Sequence, residues 1–348
     1  MTGGSAPVRG TTERSVATRI SLDGTRRVFL DEAEVSLDGL GPHEVVLEGS
    51  YSVISPGTEL AHYRGDARNG LLVHAAKGDA RFYPGYAMAG TVLAAGDESG
   101  LRAGMRVLAH SPHQSLARID TTKRVCVAIP DGLDLAVAPF ARLAQVGGIM
   151  LQLSTVRPGE TVAVIGLGPV GNLVAQLAQI AGYRVVAIEI SRARRSLAVR
   201  SGLTEVVTPN EARDALSGSG AQLVLECSGR QAALVMATEL AARYGEVMTV
   251  GAPWIPEPEV PASAITARVF EKFLTLRSGW EAQAVPNGPR RSMAECTKWV
   301  LSCLAQKLLE TAPLVTDTVR FDQAPDAYRM LDTNPSEHFT YVLSWSAV

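Results

Sequence analysis

The residues most suited to chemistry in this 348-residue chain form one short run, Gly166-Leu167-Gly168-Pro169-Val170-Gly171, directly after the apolar segment Val162-Ala163-Val164-Ile165. A strand that ends in such a turn and reopens as a helix is suited to phosphate. Gly166 permits the tight turn, Gly168 lets backbone approach a pyrophosphate, and Gly171 lets helix and strand pack closely. Pro169 falls in the first helical turn, where a missing N–H is harmless. The helix start then offers free N–H groups and a positive dipole end to the phosphates. An acid, Glu189, stands 18 residues beyond Gly171 at the end of the next apolar run. A carboxylate there accepts hydrogen bonds from the ribose hydroxyls and repels a 2′-phosphate. The expected cofactor is therefore NAD rather than NADP, although Arg192, Arg194 and Arg195 follow at once and could neutralise a phosphate. Two more turns fit the same site, Cys227-Ser228-Gly229 and Val250-Gly251-Ala252, each after an apolar run. Ligands of open α/β sheets sit outside the carboxyl ends of the strands.

The elements that must position these residues follow from pattern. From about residue 161, short apolar runs at 161–165, 184–188, 223–226, 246–250 and 274–277 alternate with helical stretches, notably 169–181 and 231–242. Such alternation predicts a parallel sheet covered on both faces. Before it, the first 130 residues read as short strands with turn punctuation, around 44–48, 90–93 and 105–109. An amphipathic helix is expected over 290–307, with Met293, Cys296, Val300, Cys303 and Leu304 on one stripe. The tail beyond residue 316 returns to strand, helix and strand, as if to complete the first domain.

Bulk properties exclude several classes. There are 33 basic and 35 acidic residues, with no dense basic block, so a nucleic-acid partner is not expected. The four cysteines form no CxxC pair, which fits reduced thiols in a cytoplasmic protein. Residues 1–18 are rich in Gly, Ser, Thr and Arg and lack the apolar core of a signal peptide, so they read as a flexible arm. The most apolar stretch, 135–153, is broken by Pro139, Arg142 and Gly147-Gly148, which makes it a buried segment and not a membrane span. His110 and His113 read as a solvated loop pair.

With the glycine turn, the segment Pro84-Gly85-Tyr86-Ala87-Met88-Ala89-Gly90-Thr91-Val92 and the strand entry Gly104-Met105-Arg106-Val107, the chain resembles the alcohol dehydrogenase-like medium-chain dehydrogenases/reductases from about Val45 onward. Ser55-Pro56-Gly57-Thr58-Glu59 and Pro84-Gly85-Tyr86 resemble, within that family, a zinc-less branch that includes bacteriochlorophyllide dehydrogenase-like proteins. The resemblance implies an α/β fold: a GroES-like, β-rich catalytic domain and a doubly wound Rossmann domain. It divides the chain into an arm (1–18), a catalytic domain (19–146), an NAD-binding domain (147–285) and a C-terminal return (286–348). Where zinc-dependent members carry ligands, this chain has Pro56, Tyr86-Ala87 and, in the stretch 142–145, Ala144. Pro and Ala cannot bind a metal and phenol is a poor ligand, so no zinc is expected. The resemblance further implies that Tyr86 and Thr58 face the reacting oxygen, with Glu59 orienting their loop and His62 extending a proton path. A tyrosine acting as base needs a nearby cation, for which Arg64 and the nicotinamide ring are candidates.

The expected activity is reversible, zinc-free hydride transfer between NAD and a secondary alcohol or ketone, a small-molecule substrate. Reduction of an activated C=C bond, of quinone or enoyl type, and non-catalytic nucleotide binding are the alternatives. The family resemblance implies a homodimer joined through the edge strand near 274–277.

Overall fold

The computed structural model describes residues 14–66, 81–285 and 292–345. β1 (Arg14–Leu22) and β2 (Val28–Ser36) pair antiparallel as a two-stranded ribbon. Residues 14–18, read above as part of the arm, are therefore strand, because β2 supplies partners for their backbone; residues 1–13 lie outside the described residues. There follow β3 (Glu44–Val53), α1 (Pro56–Arg64), β4 (Met88–Ala95), β5 (Arg106–Ala109), β6 (Leu116–Asp120) and β7 (Cys126–Ala128). These strands bury one face, with Val45, Leu47, Met88, Val92, Val107 and Ile119 forming a shared core.

α2 (Phe140–Leu153) leads into the second half. β8 (Thr161–Ile165), α3 (Pro169–Ile180), β9 (Arg184–Ile188), α4 (Arg192–Arg200) and β10 (Val206–Val207) come first. After them stand α5 (Ala212–Ala215), β11 (Ala221–Glu226), α6 (Gln231–Leu240), β12 (Ala241–Thr249), α7 (Ala262–Lys272) and β13 (Thr275–Ser278). Each strand in the order β10-β9-β8-β11-β12-β13 runs parallel to its neighbour. The order reverses between β8 and β11, which makes that junction the switch point of a doubly wound Rossmann sheet. The chain then passes through α8 (Met293–Ala305), β14 (Asp317–Arg320), α9 (Ala324–Thr333) and β15 (Tyr341–Ser344). β15 pairs antiparallel with β3, so the tail completes the seven-stranded first sheet, ordered β14-β15-β3-β4-β5-β7 with β6 on β3. The fold is mixed α/β, with this sheet beside the Rossmann sheet.

The expected helix over 290–307 forms as α8, with Ser292 capping its start by accepting the Glu295 N–H and with Cys296, Val300, Cys303 and Leu304 buried; residues 290 and 291 lie outside the described residues. α2 is sandwiched between α3 and α8. The pair Gly147-Gly148 makes this approach feasible: a Cβ on Gly147 would stand 2.1 Å from Val174, and one on Gly148 would stand 2.7 Å from Cys296 Sγ. Among the described residues, no helix is long and apolar enough to cross a membrane.

Candidate functional site

At the switch point the turn after β8 is built almost entirely from backbone. Gly166 adopts φ +87°, a left-handed conformation that glycine alone takes without strain. A Cβ on Gly171 would stand 1.9 Å from the Gly166 carbonyl oxygen, whereas one on Gly168 would meet nothing within 4 Å. The outer two positions, Gly166 and Gly171, are thus closed by packing and the middle one opens outward. Pro169 starts α3, and no side chain caps that helix start. Leu167 is buried and Val170 packs against the same core. Glu189, 4% exposed, accepts the Leu167 N–H and the Ser191 N–H, each at 2.8 Å, and so ties the end of β9 to the turn. Arg195 turns its guanidinium to the Glu189 and Ile190 carbonyl oxygens, while Arg194 lines the cleft.

The other two turns close against this one. The Cys227 N–H donates to the Ile165 carbonyl at 2.8 Å, and Ser228 backs onto Gly166. The Val250 and Gly251 N–H groups both donate to the Glu226 carbonyl at 2.7 Å, and the Glu226 carboxylate accepts the Ser228 N–H at the same distance. Burial raises the Glu226 carboxyl and, much more strongly, the Cys227 thiol above their ordinary values, so Cys227 stays protonated. A cleft of about 290 Å³ opens here, lined by Pro169, Arg194, Ser228 and Ala252 on one side and by Arg64 and His338 on the other.

At the first sheet, Thr58, Glu59 and His62 belong to α1 and not to a loop. Ser55 precedes that helix, Pro56 opens it, and Gly65 at φ +86° ends it. Glu59 is 1% exposed, and its carboxylate accepts the Ser55 N–H at 2.8 Å, His113 Nε2 at 3.0 Å and the Tyr328 hydroxyl. His113 Nδ1 lies 2.8 Å from Ser52 Oγ, which also accepts the Trp345 indole N–H. Glu59 thus ties its segment to partners on the loop after β5 and on α9. His62 stacks on Phe82 with ring centroids 3.5 Å apart and meets Trp254 edge-on at 5.6 Å. Thr58 is half-buried two residues from Pro56, on the same helix.

The half-buried Tyr86 donates its hydroxyl to Ser55 Oγ. Burial pushes the phenol up to about 12, with the Arg142 guanidinium and the Ser55 bond pulling the other way. At neutral pH it is a proton donor. The cation beside it is Arg142, whose guanidinium carbon is 4.6 Å from the ring centroid. Arg64, expected in that role, instead pairs with Asp332 across α1 and α9. Glu281, at a strand end that the sequence already marked as a pocket candidate, accepts from Arg142 Nη2 at 2.5 Å; sequence reasoning missed Gln145, one turn further along α2. The solvated reading of His110 and His113 fails as well: His113 is fully buried, and burial together with Arg142 and Arg124 holds His110 well below its ordinary value. Polarity at both positions suggested solvent, but packing buries His113 fully and leaves His110 half-buried.

Comparison with known proteins agrees with this architecture. Residues 169–283 match the family model described as zinc-binding dehydrogenase. The chain is 23% identical over 216 residues to an uncharacterized zinc-type alcohol dehydrogenase-like protein of Haemophilus influenzae, covering 60% of this chain and 58% of that one. It is 26% identical over 207 residues to sorbitol dehydrogenase of Bacillus subtilis, covering 57% and 54%. The chain thus spans little more than half the length of these two relatives. Among solved structures, L-idonate 5-dehydrogenase from Escherichia coli superposes with a TM-score of 0.77 at 19% identity, covering 96% of this chain and all of that one. Galactitol-1-phosphate dehydrogenase from Escherichia coli gives 0.78 at 18% identity, covering 94% and 99%. The fold is the one these dehydrogenases share.

Proposed function

We propose that this protein is a zinc-independent, nicotinamide-dependent oxidoreductase that moves hydride between NAD and a secondary alcohol or ketone. The observation that carries the reading is the switch point itself: an open backbone position at Gly168, an uncapped helix start and a carboxylate at Glu189, all at one end of the parallel sheet. A bound nicotinamide supplies or accepts the hydride. Gly166, Gly168, Gly171 and the start of α3 would hold the pyrophosphate, Glu189 and Arg194 the adenosine ribose, and Ser228, Val250, Gly251 and Ala252 the nicotinamide half. Tyr86, held protonated, is the donor for an oxygen that gains negative charge as a carbonyl is reduced, and Ser55 and Thr58 continue the hydroxyl path.

Donor chemistry supports zinc independence. Pro56, Ala87 and Ala144 offer no ligand atom, and the Tyr86 hydroxyl is engaged with Ser55 beneath a guanidinium. Among the described residues, no three His, Cys, Asp or Glu side chains gather to hold a metal. The division at 146/147 and 285/286 is our reading of the domains, supported by the return of β15 to β3. A homodimer is proposed across β13, an edge strand that carries exposed Leu276 and follows exposed Phe270 and Phe273.

The test combines calorimetric titration with NADH and NADPH, elemental analysis, and a turnover screen of cyclic alcohols, ketones and enones. We expect tighter NADH binding, far less than one zinc per chain, and dehydrogenase or ketone reductase activity. Tighter NADPH binding, stoichiometric zinc, or turnover confined to the C=C bond of enones would each overturn the corresponding part.

A further inference from the structure

Arg142 is an unusual side chain to find buried between two sheets. It is 6% exposed, and a buried guanidinium carries a heavy desolvation cost unless its donors are used. One donor is used: Nη2 meets Glu281, which follows β13 of the parallel sheet. The flat face lies over Tyr86, which precedes β4 of the first sheet. Arg142 therefore stands where the two sheets meet, clamped from both, in an orientation its own helix does not decide. Its Nε and Nη1 atoms are buried, with no hydrogen-bond partner among the described residues. The same holds for both side-chain amide atoms of Gln145, which is fully buried, and for His110 Nε2. Arg142 and Gln145 are three residues apart on α2, so they share a face.

Buried polar atoms in native proteins are nearly always satisfied, so five orphaned atoms on three neighbouring side chains call for a ligand with matching groups. The donors are two guanidinium N–H groups and one amide NH₂, and a donor set of this kind matches oxygen atoms bearing negative charge. The acceptors, Gln145 Oε1 and the neutral His110 ring, match a hydroxyl. We infer that this cluster is a carboxylate subsite, and that the substrate is a small hydroxy or oxo acid whose carboxylate rests on Arg142 and Gln145. The inference rests on the hydride-transfer reading only in placing the reacting carbon beside Tyr86. Glu281 has a defined part: it fixes the guanidinium and balances its charge when the substrate is away, so the pair stands ready at modest cost.

The experiment titrates pyruvate and acetoacetate, each beside its neutral amide, into the protein, with and without saturating NADH. NADH binding is measured first by its own fluorescence, so loss of the cofactor reading is scored separately. Carboxylates should bind on the order of tenfold or more tighter than the amides. Arg142→Met should erase that preference and Arg142→Lys should restore part of it, with NADH affinity unchanged in both. Melting curves establish folding. Should Arg142→Met not fold, Gln145→Leu, which leaves the Arg142–Glu281 pair intact, should still cut carboxylate affinity several-fold and spare the amides. Equal binding of acid and amide, no binding of either acid, or a preference that survives Arg142→Met or Gln145→Leu overturns the inference.

Discussion

The glycine turn and the side-chain cluster around Tyr86 are made of different materials. The turn after β8 is a backbone structure: its shape comes from absent side chains at Gly166 and Gly171, and Glu189 braces it through two main-chain N–H groups. The cluster around Tyr86 is a side-chain structure, in which Tyr86, Ser55, Arg142, Gln145, His110 and Glu281 arrive from separate parts of the chain. A backbone site recognises what all dinucleotides share. A side-chain site can be exchanged residue by residue while the fold persists. Even the bracing differs: the Glu59–His113–Tyr328 network lies under α1, fully buried, and holds that helix against the first sheet without itself lining the cleft.

The severest way to break this contrast is at Gly171. A valine there would drive its Cβ into the Gly166 carbonyl, so Gly171→Val should abolish measurable NADH binding and lower stability by about 3 kcal/mol. Calorimetry and chemical denaturation check both; retained NADH affinity would mean that the turn is not the cofactor cradle. At the side-chain end, Tyr86→Phe keeps the ring and removes only the donor. Turnover should fall on the order of 10²–10³ with NADH affinity nearly intact. Thr58→Val should also cut turnover, and the two losses should not add if they share one path. Parent-like turnover in Tyr86→Phe would leave a space-filling aromatic.

A third change tests whether Glu189 serves both materials. Glu189→Ala leaves the Leu167 and Ser191 N–H groups without their acceptor, a loss of about 1–3 kcal/mol, and should narrow the preference for NADH over NADPH. An unchanged preference would make the residue a brace only. The smallest effect concerns His110. Its folded pKa lies below the ordinary 6.5, so the unfolded chain binds more protons as pH falls through that value. The contribution is complete above about pH 6.5 and is lost on acidification toward the folded value. His110→Gln should therefore flatten the decline of melting temperature between about pH 7 and 5, whereas an unaltered slope would mean that His110 is not held neutral by the fold.

How much was legible beforehand divides along the same line. The parallel sheet was readable from residue 161 onward because its central strands β8, β9 and β11 are buried on both faces and so read as continuous apolar runs. β8 and β9 fall where the pattern places them, and the remaining expected strands shift by a few residues. β10 was missed, being two residues long, and so was α4, whose run of arginines hides its period. α1 was read as a loop for a related reason. Pro56-Gly57 opens it, and burial of Glu59 and His62 alongside Leu60, Ala61 and Tyr63 leaves no clean apolar face.

What the sequence determined by itself is the glycine turn, since strand, turn, helix and acid lie within 28 consecutive residues, 162–189, and local sterics dictate their geometry. Tertiary structure alone decided the rest of the site. Arg142 and Glu281 are 139 positions apart, Glu59 and Tyr328 are 269 apart, and Ser52 and Trp345 are 293 apart. No periodicity or spacing encodes such meetings. They exist because α2 is pressed between two helices, because the tail returns to pair with β3, and because burial then forces each polar group to find whichever partner the packing has brought near.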